Sequence, residues 1–259
     1  VQGAIAAGTA TTLAALVETI VLIIATHGPL RHELREWSTD GDDTSLGAIG
    51  RFFAPLIVAA FLPAATTPVL NAALARSANP EASIAAFAIS LGLFQALTLL
   101  LWGAQPTILA LLARGDSMRR VTVFTNSVAA VVLGIALVAA FVPPITTILV
   151  QDLSGARDRL AELSVLGLRV LAPMPLILVQ EQVFASALMQ VRRTRPIMYV
   201  NFWRLLALLV FVFVTYNLVE IPGVAIGAGA WAASLAVEAL ATCIYGHGAF
   251  RRLVAVRPI

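Results

Sequence analysis

The chain has 259 residues, 59% of them hydrophobic and 12% charged, with a mean hydropathy of +0.91. Such a composition excludes a water-soluble domain, and several apolar runs reach the ~20 residues that cross a bilayer. The net charge of +3 rests on arginine alone on its basic side, and no basic–aromatic patch or zinc spacing turns it toward nucleic acid, so it is read as a signal of membrane topology. Cys243 is the single cysteine, so no internal disulfide forms and the redox compartment stays open.

Taken in order, the first predicted helix covers residues 3–26. It has a near-copy at the other end of the chain. Shifted by 220 residues without a gap, residues 3–31 match 223–251 at eight of 29 positions, among them Glu18/Glu238 and His27-Gly28/His247-Gly248. Self-similarity at long range points to two copies of one unit. The first copy is nearly all missing, and the chain is read as a piece of a longer or processed protein. Each His-Gly is expected to stop its helix, since glycine takes a left-handed conformation and histidine suits a helix C-terminus.

A polar connection over 27–45, with Asp40, Asp42 and Asp43 near its end, is the one long linker. The next helix, 47–75, carries Pro55, Pro63 and Pro68; another, 80–113, is interrupted at Gln105-Pro106. At ~51 Å the latter exceeds a hydrocarbon core of ~30 Å, so it must tilt, bend or project, with Pro106 as the expected bend. Pro63 and Pro68 free backbone carbonyls that lipid will not satisfy, so a cavity or neighbouring helix should. A packing kink is the plainer account of any one proline. The helix at 118–141 is stopped by Pro143-Pro144 and has an amphipathic tail to Asp152. Three more follow at 159–190, with Pro173 and Pro175, at 196–217 and at 222–245.

Seven spans segregate the arginines. Twelve of the 17 fall on one side, only Arg76, Arg157 and Arg159 on the other, and Arg169 and Arg204 within spans. The positive-inside rule makes the twelve-arginine side cytoplasmic, with the linker and the C-terminus on it and the protein multi-pass in a cell (inner) membrane.

Glu18, Arg169, Glu181, Arg204 and Glu238 lie well inside predicted spans. Each costs a few kcal/mol at a helix centre, so each should face a bundle interior or wet cavity and find a partner. Depth places Glu181, Arg204 and Glu238 in one layer and Arg169 nearer the middle, toward the outer half. Glu181–Arg204 is the pairing expected from consecutive helices. The layer then either binds an anion and carries a coupling proton, or locks the helices together. Gln180 and Gln182 make a polar belt with Glu181 that lines a cavity or rests at the interface. Asn71 and Asn126 are cavity contacts or interhelical hydrogen bonds, and Gly223, Gly227 and Gly229 supply a small-residue face for close approach. The four tryptophans scatter and give no site. No HExxH motif or Cys-His pair offers chemistry, so neither enzyme activity nor a metal or cofactor is expected.

Several short stretches resemble a known superfamily. They are the Phe-Phe-x-Pro-Leu run at 52–56, Pro68-Val69-Leu70-Asn71, and the Ala113-Arg114-Gly115-Asp116 that closes a long helix. The pattern is similar to the opening of a six-helix half in the multidrug and toxin extrusion and lipid-flippase (MATE/MOP) superfamily. Leu168-Arg169-Val170 before a proline pair, Arg192-Arg193-Thr194, Trp203-Arg204-Leu205 and Gly223 with Glu238 look closest to its progressive ankylosis (ANK) branch.

The resemblance implies an all-α membrane protein of seven transmembrane helices, one complete six-helix bundle preceded by the last helix of a missing first bundle. Residues 1–28 would be that last helix, 29–46 a cytoplasmic linker, 47–252 the C-terminal repeat and 253–259 a cytoplasmic tail. Two bundles would form a V around a central cavity and export small organic or phosphorylated anions by alternating access, with proton or sodium as coupling ion. Arg169, Arg204 and Glu238 match charged positions of the branch, while Glu181 does not match clearly. Membrane lipids, an anionic substrate and the missing N-terminal half are the implied partners. A lipid-linked precursor flippase and a cation-coupled drug exporter are rivals within the class; a non-transporting membrane scaffold is the reading from another class.

Overall fold

A computed structural model describes residues 2–36, 47, 50, 57, 61–62, 64–191, 193, 195–218 and 221–255. Pro55, Pro63, the 52–56 run, Arg192, Thr194 and the three linker aspartates lie outside the described residues. Every element among the described residues is a helix. The chain divides into two units, Val1–Ile49 and Gly50–Ile259, and each is described by itself.

The first unit contains α1 (Gln2–Glu36). Thr12, Thr19 and Thr26 recur every seven residues, and each hydroxyl donates to the carbonyl four residues earlier at 2.6–2.9 Å. Hydroxyls satisfied within their own helix suit an apolar solvent. The expected stop at His27-Gly28 does not occur, and the helix continues to Glu36.

The second unit contains α2 (Thr66–Leu74), α3 (Pro80–Leu97), α4 (Leu99–Trp102), α5 (Ala104–Ala113), α6 (Met118–Phe141), α7 (Pro143–Thr147), a π-helical segment (Ile148–Leu153), α8 (Asp158–Leu171), α9 (Pro175–Gln190), α10 (Arg195–Leu218) and α11 (Gly223–Ala255). Among the described residues five helices, α1 among them, are long and apolar enough to cross a membrane; α8 and α9, bent by 44°, add a sixth if taken as one span. These are the helices of a multi-pass membrane protein. The expected count of seven is not reached among the described residues.

The prolines act at helix starts more than as mid-helix kinks. Pro68 sits in the first turn of α2, three residues after the break at Ala65. The interruption expected at Gln105-Pro106 lies upstream, at Gly103, with another at Thr98. A proline ring collides with the carbonyl four residues before it, here Trp102, so the helix resets there and Pro106 falls in the first turn of α5. Pro173 and Pro175 likewise end α8 at Leu171 and open α9. The Ala113-Arg114-Gly115-Asp116 stretch is a helix stop. Gly115 takes φ +100°, its N–H donates to Leu112 O and that of Asp116 to Leu111 O, both at 3.1 Å, which is the Schellman pattern.

α11 is the central element. In its apolar window 67% of residues are buried, against 33% for α6 and 17% for α10. It packs on α10, α9, α8, α3 and α2. Its glycines do not form one face. A Cβ on Gly227 would meet Phe87 and Leu74 at 3.1–3.2 Å, whereas one on Gly229 would meet Phe211 of α10 at 2.9 Å. Positions two apart on a helix point to opposite sides, so these small residues admit two different neighbours.

α11 also runs through His247-Gly248 to Ala255. The reason is burial: Ala249, Phe250 and Leu253 pack against Met118, Val121 and Val183, and the Phe184 and Phe250 rings stand 5.1 Å apart. That contact outweighs the ~1 kcal/mol that a glycine costs inside a helix. Outward, Phe124, Val131 and Ile135 on α6 and Phe202, Val210 and Phe213 on α10 are exposed, as a lipid-facing surface requires.

Candidate functional site

Three ionisable side chains from three helices meet in the interior of the second unit. Arg204 comes from α10 and Glu238 from α11. The Arg204 Nη1 donates to Glu238 Oε2 at 2.8 Å, with side-chain exposures of only 12% and 8%. Glu181 of α9 lies within electrostatic reach of both. Its carboxylate accepts from Gln182 Nε2 at 2.6 Å. The expected pairing was Glu181 with Arg204, but the carboxylate that takes the guanidinium is Glu238. Depth along consecutive helices places residues in a layer; the rotation of each helix, set by its packing, decides which of them touch.

The polar layer is incompletely paired. Arg204 Nε and Gln182 Oε1 are buried without hydrogen-bond partners. One guanidinium faces two carboxylates, so the layer carries an uncompensated charge if both acids are ionised. Buried charges persist when paired, and an excess one calls for a proton, an ion or a ligand. Gln180 reaches in another direction and donates to Asn126 Oδ1 of α6 at 2.8 Å. The Gln180–Glu181–Gln182 belt therefore lies inside the bundle: half-buried Gln180 fastens α9 to α6, and buried Gln182 sits beside the charged layer. The partly exposed Cys243 lies within reach of Glu181, a proximity the sequence did not signal.

The other candidate residues lie elsewhere. Asn71 is exposed on α2. Glu18 is exposed midway along α1. Arg169 serves the end of α6. Pro143 and Pro144 have no N–H, so the carbonyls of Ala139 and Ala140 lose their helical donors. Thr146 Oγ1 donates to Ala139 O at 2.8 Å and Arg169 Nε to Ala140 O at 3.2 Å. The guanidinium also lies 5.6 Å from the Phe141 ring centroid.

Arg169 borders a second feature that the sequence reading missed: a cavity of about 740 Å³ lined also by Gln151, Asp152, Arg157, Asp158 and Glu162. Its signal was present in the spacing 158, 162, 165, 169, which puts three charges on one stripe of α8. Among the described residues no group of three His, Cys, Asp or Glu is arranged to hold a metal ion. Comparison with protein-family models, curated proteins and solved structures yields no match.

Proposed function

We propose that this chain belongs to a secondary transporter of small anions, of the multidrug and toxin extrusion type and closest to its ANK branch, working by alternating access. The observation that carries the reading is the layer of two carboxylates and one guanidinium within apolar helices. The short motifs around Arg169, Arg204 and Glu238 support the family.

In this mechanism Arg204 changes partner. An anionic oxygen of the substrate takes the guanidinium edge, whose Nε is unpartnered, and displaces Glu238. A proton moves onto the released Glu238 carboxylate, so the layer's net charge is the same before and after binding of a monoanion. Glu181 is the second acceptor in the layer and tunes which state is favoured. Charge-assisted bonds to guanidinium are the strong ones, which gives an anion the means to compete with a carboxylate already in place.

A second reading rests on the same geometry: a direct 2.8 Å pair with both partners buried is also what a structural lock looks like. Counterflow in proteoliposomes of the full chain, with labelled citrate and pyrophosphate as probes, separates the two. Transport predicts that Arg204→Ala loses counterflow by roughly tenfold or more, whereas Glu238→Gln, a mimic of the protonated acid, still melts cooperatively and exchanges the probe but loses the pH dependence of counterflow. Wild-type counterflow of either probe in Arg204→Ala, with wild-type pH dependence in Glu238→Gln, removes the proposed site.

A further inference from the structure

The cavity beside α8 has a composition that the anion-transport layer does not explain. Three acids, Asp152, Asp158 and Glu162, and two bases, Arg157 and Arg169, share its wall. Unlike charges around one cavity normally pair. Here, among the described residues, Asp152, Asp158, Arg157 and Arg169 have no ion-pair partner within 4.0 Å, and Glu162 pairs outward with exposed Arg159 at 3.5 Å. A solvated pair of that kind holds its partners weakly. Both signs of charge therefore face the cavity unspent.

Depth sets Arg169 apart from the other charges. Asp158 opens α8, Glu162 is one turn on, and Arg169 lies eleven residues, ~16 Å, along the helix from Asp158. With α8–α9 as a bent span, the three acids and Arg157 stand toward the water, where they leave a net negative charge, and Arg169 toward the hydrocarbon. An arginine at that depth that is exposed cannot face lipid chains without large cost; it faces the cavity. Its Nε is committed to Ala140 O and the Phe141 ring centroid lies 5.6 Å from Cζ, leaving both terminal nitrogens free for a bidentate phosphate. The wall around the acids is irregular and specific. A π-helical segment presents Gln151 and Asp152, and Asp158 holds φ +48°, a region that few residues other than glycine adopt and that aspartate tolerates. π-helical turns and strained residues concentrate at functional sites.

We infer that this cavity binds the zwitterionic head group of a phospholipid bearing a primary ammonium, phosphate on Arg169 and ammonium among Asp152, Asp158 and Glu162. The order matches a lipid in its leaflet, where phosphate lies nearer the acyl chains and ammonium nearer the water. A primary ammonium suits the carboxylates because it donates hydrogen bonds to them. A quaternary one is held by aromatic faces, and none of the residues lining the cavity is aromatic. The inference needs the membrane placement of α8–α9 and does not rest on the transport reading.

The test is native mass spectrometry of the detergent-solubilised full chain, titrated with phosphatidylethanolamine, phosphatidylcholine, phosphatidylglycerol and free phosphoethanolamine. Phosphatidylethanolamine should be retained roughly tenfold better than phosphatidylcholine. The double variant Asp158→Asn/Glu162→Gln should erase that preference without weakening phosphatidylglycerol retention; asparagine also accepts the backbone conformation of position 158. Arg169→Gln should weaken retention of all the phospholipids. Should Arg169→Gln fail to fold, the double variant decides alone. Equal retention of the two zwitterionic lipids by the wild type, or a preference that survives the double variant, overturns the assignment. Displacement of the lipid by free phosphoethanolamine at equal concentration also overturns it, in favour of a soluble zwitterion.

Discussion

Arg204 and Glu238 form the one buried ion pair among the described residues, and its energetics are those of a pair that is costly to break and cheap to replace. Removing one partner strands a charge in apolar surroundings, so Arg204→Ala should destabilise by about 3–5 kcal/mol. Replacing both by apolar residues of similar size, Arg204→Met with Glu238→Leu, should return stability to near or above wild type. Chemical unfolding in detergent measures both, and transport measured on the double variant tells a lock from a working site. Arg169 makes the corresponding case for backbone carbonyls. With Pro143 and Pro144 unable to donate, loss of Arg169 or Thr146 strands Ala140 O or Ala139 O. Thr146→Val should cost about 1–3 kcal/mol, the penalty of an unsatisfied buried group. A melting temperature equal to wild type would show that the two prolines need no substitute donor.

At the scale of elements, the long helices obey packing more than local stop signals. Gly248 reads as a terminator in sequence, but it lies inside α11 with no atom within 4 Å of an added Cβ. Gly248→Ala should therefore stabilise by about 0.5–1 kcal/mol. A left-handed stop would give the opposite sign, so a lowered midpoint would place the helix end at His247. Gly227 is the counterexample on the same helix. A side chain there runs into Phe87 and Leu74, and Gly227→Val should cost about 1–3 kcal/mol through overpacking between α11, α2 and α3. The bend between α8 and α9 belongs to this scale too. It separates Arg169, serving α6, from Glu181, serving the layer with Arg204 and Glu238.

For the second unit as a whole, exposed apolar side chains on α6 and α10 surround a core centred on α11. With α6 crossing the membrane, single cysteines at Asp116 and Arg157 in a Cys243→Ser background should label from opposite faces. Labelling of both positions from the same side would remove α6 as a span and, with it, the depth assigned to Arg169.

Composition and apolar run length by themselves determined that this is a helical protein built for a bilayer, because the ~20-residue requirement of a span is written in consecutive residues. The rarity of charges in those runs likewise singled out Glu18, Arg169, Glu181, Arg204 and Glu238, of which the last three come together, since an ionisable group in apolar sequence is visible without coordinates. Pro106, Pro143-Pro144 and Pro173-Pro175 marked helix breaks to within a turn, because proline acts on its own chain, whereas Pro29 lies inside α1. Partner choice was not legible: Glu238, not Glu181, takes Arg204, since helix rotation depends on packing with distant residues. Nor did His247-Gly248 end its helix, because Phe250 finds Phe184 across more than 60 residues of chain. Tertiary structure decided these matters because hydrophobic burial acts on whatever space brings together, whatever the distance along the sequence.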